Sequence, residues 1–137
     1  MSVEKRTGIL LVTHLDIGAR IIQAAEFIMG PQEGVVAVGV EATDNVDATV
    51  ALIREAAAKV DGGLGVLALT DMFGGTPTNL SLSLIGTAVG EVITGVSLPM
   101  VLKAIQGRKL PPVQLAAEVK KAGTQGIVVA GEMLKRK

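Results

Sequence analysis

The sequence predicts an α/β fold: a doubly wound, three-layer sandwich around a central, mainly parallel sheet of strand order 2-1-3-4. Three observations lead there. Short β-branched runs alternate with longer stretches of helical period, the pattern of βαβ units. Two of the runs, TGILLVT and GVLALT, hold no charge at all, as strands covered on both faces do. The apolar fraction, 49% of 137 residues, comes almost wholly from Ala, Val, Leu and Ile, with Phe27 and Phe73 the only aromatics.

Each element has a local reason. Thr7 to Thr13 reads as the first strand. Gly18 to Met29 reads as a helix with Ile22, Ala25 and Met29 near one face, ended by Gly30-Pro31 and capped by Asp16. Val35 to Val40 is the second strand. Asn45 to Val60 is an amphipathic helix with Val46, Val50, Ile53 and Ala57 on one side, caps at Asp44 and Asn45, and a stop at Gly62-Gly63. Gly65 to Thr70 is the third, central strand. A Gly-Gly turn leads into a helix over Pro77 to Ile85, whose first-turn proline lacks only an N–H that would have gone unpaired.

Glu91 to Val96 is the fourth strand. Ser97 caps a helix running from near Pro99 to Gly107, Gln106 to Pro112 connects, and a further helix spans Pro112 to Ala122 with Gly123 at its end. Gly126 to Ala130 (GIVVA) reads as a fifth strand that need not run parallel to the rest. No repeat, linker or change of composition divides the chain, so residues 1–137 are expected to form one domain.

Composition also excludes functions. Thirteen basic and thirteen acidic residues balance, leaving no field to draw the chain to nucleic acid, and two aromatics are too few to stack bases. The basic end Lys135, Arg136, Lys137 is short enough to be a solvated terminus. The longest apolar runs fall far short of the roughly 20 residues that span a bilayer. With no cysteine and no leader-like N-terminus, a cytoplasmic protein without membrane insertion is expected.

In open α/β sheets, ligands gather beyond the carboxyl ends of the strands. There the first strand ends in Thr13-His14-Leu15-Asp16, and the third in Thr70-Asp71, followed by Met72-Phe73-Gly74-Gly75-Thr76-Pro77. If these strands are neighbours, His14 and Asp71 emerge side by side. An imidazole is largely neutral near pH 7, so one nitrogen can attack phosphorus while the other holds a proton. A carboxylate on that N–H fixes the tautomer and stabilises positive charge on the ring in the transition state. The glycines of Gly74-Gly75-Thr76 let backbone N–H groups approach phosphoryl oxygens, and Thr76 adds a hydroxyl. No nucleotide or other cofactor is required for such a transfer.

Taken singly, these residues are ordinary. A lone histidine at a strand end is more often structural than nucleophilic, Asp71 alone can merely start a turn, and paired glycines are common in βα loops. Their joint placement gives the reading its force. No metal is expected, because one histidine with one nearby acid falls short of the three protein ligands of a catalytic zinc site.

GILLVTH ending in His14, LTDMFGGTPTN within Val60 to Asn79, and VITGVSLPM over Val92 to Met100 together resemble the mannose-type (mannose, fructose, sorbose) IIA components of the phosphoenolpyruvate-dependent sugar phosphotransferase system. The resemblance covers nearly the whole chain. It implies that His14 accepts a phosphoryl group from the histidine-containing phosphocarrier protein and passes it to a IIB component, here a separate protein, for sugar uptake and phosphorylation. It further implies Asp71 as the partner of His14, Gly74, Gly75 and Thr76 as the phosphoryl-facing turn, and a homodimer exchanging its antiparallel last strand.

Two positions depart from the family pattern: Leu15 stands where a glycine is usual, and Ser97 where an asparagine is common before the Leu-Pro pair. Both flank the site. An alternative function is a regulatory module whose phosphorylation state is read by a partner protein. The phosphotransfer subunit of dihydroxyacetone kinase shares the fold, but LTDMFGGTP is more like the sugar-transport group. A receiver domain phosphorylated on Asp71 would need acidic residues after the first strand to hold magnesium and a lysine near the end of a late strand; here the first strand ends in His14, and the late runs GVS and GIVVA offer no such lysine.

Overall fold

The computed structural model of the protein describes residues 4–135. The last two residues of the basic end, Arg136 and Lys137, lie outside them. Four strands, β1 (Arg6–His14), β2 (Val35–Val40), β3 (Gly63–Thr70) and β4 (Glu91–Ile93), form one sheet of order β2-β1-β3-β4, parallel throughout. Register is set by pairs such as Ile9 with Val35, Val12 with Thr70, and Leu69 with Ile93.

Alternation along β1 and β3 divides their side chains between two cores. Ile9, Leu11, Leu67 and Leu69 face α1 (Ile17–Met29), α4 (Leu98–Gln106) and α5 (Pro112–Gln125) through Ile22, Ala25, Val101, Ala104, Leu115 and Val119. Leu10, Val12, Val66 and Ala68 face the other way, onto Ile53, Ala57 and Val60 of α2 (Val46–Val60) and onto Leu84 and Val89. A side chain such as Ile53, wholly buried, contributes about 1.5–3 kcal/mol by leaving water. The short α3 (Thr76–Leu82) lies between β3 and β4 in sequence. Helices on both faces of a parallel sheet give the three layers expected.

Several boundaries differ from the expectation. The fourth strand stops at Ile93 because Gly95, at φ +81°, turns the chain; the Val96 N–H still reaches the Thr70 carbonyl at 2.9 Å. The third helix begins at Thr76 and ends at Leu82 rather than Ile85. The last long helix continues through Gly123, which marks a close approach rather than an end: a Cβ there would sit 2.7 Å from Met100 Cγ on α4.

The caps divide. Asn45 Oδ1 accepts the Ala48 N–H at 2.9 Å, as expected, whereas the Asp44 carboxylate holds the Glu41 N–H. Asp16 occupies the position before α1 without capping it. The Thr13 hydroxyl accepts the Gly18 N–H instead, and Asp16 makes an exposed ion pair with Arg20. Ser97 likewise makes no side-chain cap.

The fifth strand expected over 126–130 does not form within the single chain: among the described residues the segment pairs with no strand, and Ala130–Leu134 forms a short helix, α6, none of whose residues is buried. The β-branched run Ile127-Val128-Val129 has strand propensity, but a strand requires an edge to pair with. Here the segment lies along no edge of its own sheet, and its backbone bonds locally: Gly126 N–H to Ala122 O, Ile127 N–H to Thr124 O and Met133 N–H to Val129 O. The Gln106–Pro112 connection is tied down rather than loose. The buried Arg108 guanidinium donates to the Thr7 and Glu33 carbonyls, and the Thr7 hydroxyl donates to Leu110 O at 2.6 Å.

Candidate functional site

Because β1 and β3 are neighbours in register, their carboxyl ends deliver His14 and Asp71 to one place. Asp71 Oδ2 accepts the His14 backbone N–H at 2.9 Å and lies 2.8 Å from ring Nδ1. A carboxylate can only accept, so Nδ1 is the protonated nitrogen and Nε2 is left with a free lone pair. Burial pushes the Asp71 carboxyl up, but the two His14 hydrogen bonds and the attraction of the ring charge outweigh it and hold the group below its ordinary value. The His14 side chain remains 43% exposed while that of Asp71 is 13% exposed, so the carboxylate stands behind the ring and the ring faces solvent.

The turn after β3 closes against the same ring. Gly74 has φ +86°, a conformation costly for any residue with a Cβ. Gly75 is required for a different reason: a Cβ on it would stand 2.9 Å from His14 Cε1 and 3.5 Å from Nε2. Thr76 and His14 line one hollow of about 280 Å³, together with Glu41, Asp44 and Leu80. The structure therefore brings together His14, Asp71, Gly75 and Thr76 as singled out from the sequence, with Gly74 adjoining them in the turn before Gly75. Asp16, read as a cap, takes no part in this group.

Two supporting residues escaped the sequence reading. Thr78 donates its hydroxyl proton to the Met72 carbonyl at 2.6 Å, so the 2.6 Å contact with Thr70 must have Thr70 as the donor. Both threonines are buried. Together they pin the 72–78 turn to the end of β3 and fix Gly75 against the histidine. The signal was present in the threonines flanking the Asp71 turn, but only the fold shows that they meet. Glu41 and Asp44 also reach the His14 hollow, from the loop after β2. Among the described residues, no group of three or more His, Cys, Asp or Glu side chains is placed to hold a metal ion.

Residues 8–122 match the family model described as the PTS system fructose IIA component. The chain belongs to that family, the mannose/fructose IIA components. These are phosphotransferase-system proteins that transfer phosphoryl groups. The mannose-specific EIIAB component of Escherichia coli strain K12 is 30% identical to this chain over 126 residues, 88% of it. This IIA chain spans only 39% of that protein's length.

Solved structures agree. Phosphotransferase system component EIIA from Streptococcus agalactiae superposes with a TM-score of 0.80 at 27% identity, covering 92% of this IIA chain and 98% of that one. The PTS IIA protein associated with the fucose utilization operon of Streptococcus pneumoniae gives 0.83 at 21% identity, covering 98% and 100%, and so shares the fold. Among the described residues no helix is long and apolar enough to cross a membrane.

Proposed function

We propose that the chain is a phosphocarrier acting through His14, accepting a phosphoryl group from the histidine-containing phosphocarrier protein and passing it to a IIB component for sugar uptake. One observation carries the reading. Asp71 Oδ2 holds Nδ1, which leaves Nε2 as the nucleophile on the side of the ring that Gly75 approaches. In the forward step the Nε2 lone pair forms a new bond to phosphorus as the donor's N–P bond breaks. The bonding electrons leave with the donor imidazole. The His14 ring keeps its Nδ1 proton and gains positive charge, which the Asp71 carboxylate balances at 2.8 Å.

Gly74, Gly75 and Thr76 face the phosphoryl oxygens in this reading, supported by the contact of Gly75 with the ring and the place of Thr76 in the same hollow. Stabilising equatorial oxygens and aligning the groups in line is most of what phosphoryl transfer demands. The phosphoryl group then leaves for a cysteine or histidine of the IIB component. The whole chain serves as one phosphotransfer unit, working in the cytoplasm with its donor.

The unit is a homodimer in this account, with 126–130 of each chain lying antiparallel along the partner's β4. Three features support it. The outer edge of β4 borders a hollow of about 490 Å³ that also includes Thr124 and Ile127, Thr94 Oγ1 is buried there with no hydrogen-bond partner among the described residues, and Ile127 is 83% exposed. The test of the function is incubation with phosphoenolpyruvate, enzyme I and the phosphocarrier protein. An acid-labile, base-stable adduct is expected on the wild type and absent from His14→Ala. Its absence from the wild type, or survival in the variant, overturns the reading.

A further inference from the structure

Leu15 is the only non-glycine residue with positive φ, +47°, among the described residues. Left-handed backbone is unfavourable for a residue with a branched apolar side chain and persists only where the surroundings enforce it. Here they do. The Leu15 N–H donates to the Val40 carbonyl at 3.0 Å, and its own carbonyl is so close to Gly39 that a Cβ on that glycine would be 2.2 Å from it. The backbone after His14 is thus held between β1 and β2, and glycine would occupy it with less strain. Leucine does not repay that strain by packing, because it is 59% exposed.

The side chain lines a hollow with Asp16, Gly39, Glu41, Asp44 and Leu52, and this hollow adjoins the one at His14, sharing Glu41 and Asp44. An exposed apolar group one residue from the nucleophile, beside Glu41 and Asp44, which make no ion pair among the described residues, suits a protein that approaches His14 with an apolar contact and flanking lysine or arginine. We propose that Leu15 is a specificity-determining residue of the phosphotransfer: its side chain is an apolar foothold for the phosphoryl-donor protein, and Glu41 and Asp44 favour a basic donor face. This rests on His14 being the phosphoryl carrier.

The test compares two routes to the same phosphohistidine. Phosphoramidate, a small reagent, phosphorylates histidine without docking, whereas the phosphorylated histidine-containing phosphocarrier protein must dock. Wild type, Leu15→Gly, Leu15→Asn and Leu15→Met are each measured by both. Asparagine tolerates left-handed backbone, so Leu15→Asn removes the apolar contact with little change of turn, and Leu15→Met preserves it.

The expected result is a KM for the donor raised at least about fivefold in Leu15→Gly and Leu15→Asn, with the ratio of donor to phosphoramidate rates falling equally. Leu15→Met keeps the wild-type ratio, Leu15→Gly melts no lower than wild type, and added salt raises the wild-type KM. A ratio within about twofold of wild type in both Leu15→Gly and Leu15→Asn overturns the inference, as does loss of the ratio in Leu15→Met as well. Labelling of wild type by phosphoramidate alone overturns it together with the donor step of the phosphocarrier reading. Failure of both routes to label His14 instead overturns the phosphocarrier reading, and the inference with it.

Discussion

A single oxygen, Asp71 Oδ2, holds both the backbone N–H and the ring Nδ1 of His14, at 2.9 and 2.8 Å. The backbone bond ties the last residue of β1 to a side chain just past β3, and the ring bond orients the imidazole. One carboxylate therefore fixes where the histidine starts and which of its nitrogens is free.

Replacing this carboxylate with its amide keeps the shape and removes the charge. Asp71→Asn is expected to fold and to lose about 100-fold or more in the rate of phosphoryl transfer through His14, because the ring charge is no longer balanced. Single-turnover labelling by the phosphocarrier protein measures it. A loss under about threefold would show that Asp71 positions nothing that matters to the reaction.

The same pair makes stability depend on pH. The Asp71 carboxyl is held below its ordinary value in the folded chain, so the unfolded chain binds its proton first as pH falls. Its contribution is fully present above the unfolded carboxylate value of about 3.9 and is lost as pH falls through the lower, folded one. The stability difference between wild type and Asp71→Asn, read from urea unfolding midpoints, therefore shrinks as pH falls below about 4. A difference that grows on acidification below that pH contradicts this sign.

Gly75→Ala tests the turn without replacing the histidine. Gly75 has φ −83°, so alanine strains no backbone, but its methyl would press on Cε1 of the His14 ring. We expect stability to change by less than about 1 kcal/mol while the transfer rate falls at least about tenfold, since small misplacements of a nucleophile are costly. Thermal melting and labelling kinetics together separate the two effects. Unchanged kinetics would remove the turn from the site.

The terminal segment carries the prediction for assembly. If the proposed exchange seats Ile127 and Val129 on a partner, Ile127→Asp with Val129→Asp converts the dimer into a monomer, read by light scattering after size exclusion. Both side chains are exposed in the single chain, so the fold itself should survive the change. A wild-type monomer at micromolar concentration contradicts the proposed exchange.

Much of this site was legible before any coordinates. Strand ends are marked by where apolar runs turn polar, and the adjacency of the first and third strands follows from the common order of such sheets. His14, Asp71 and the Gly74-Gly75-Thr76 turn converge as that logic requires. What escaped depends on contacts distant in sequence. Gly123 has the appearance of a helix stop until Met100 is seen against it, and Asp16 has the appearance of a cap until Thr13 takes the Gly18 N–H. The Thr70–Thr78 contact and the Leu15 conformation depend likewise on neighbouring strands and loops. The run 126–130 has strand propensity, but among the described residues no strand pairs with it within the chain, so its strand is legible only if a partner supplies the edge.

The most direct test of the account is to phosphorylate the chain with phosphoenolpyruvate, enzyme I and the phosphocarrier protein, with histidine labelled by nitrogen-15, and to read which ring nitrogen couples to phosphorus. The account predicts one phosphoryl group, bonded to His14 Nε2, with Nδ1 still protonated against Asp71. A phosphoryl group on Nδ1, on any residue other than His14, or no adduct at all, would contradict it.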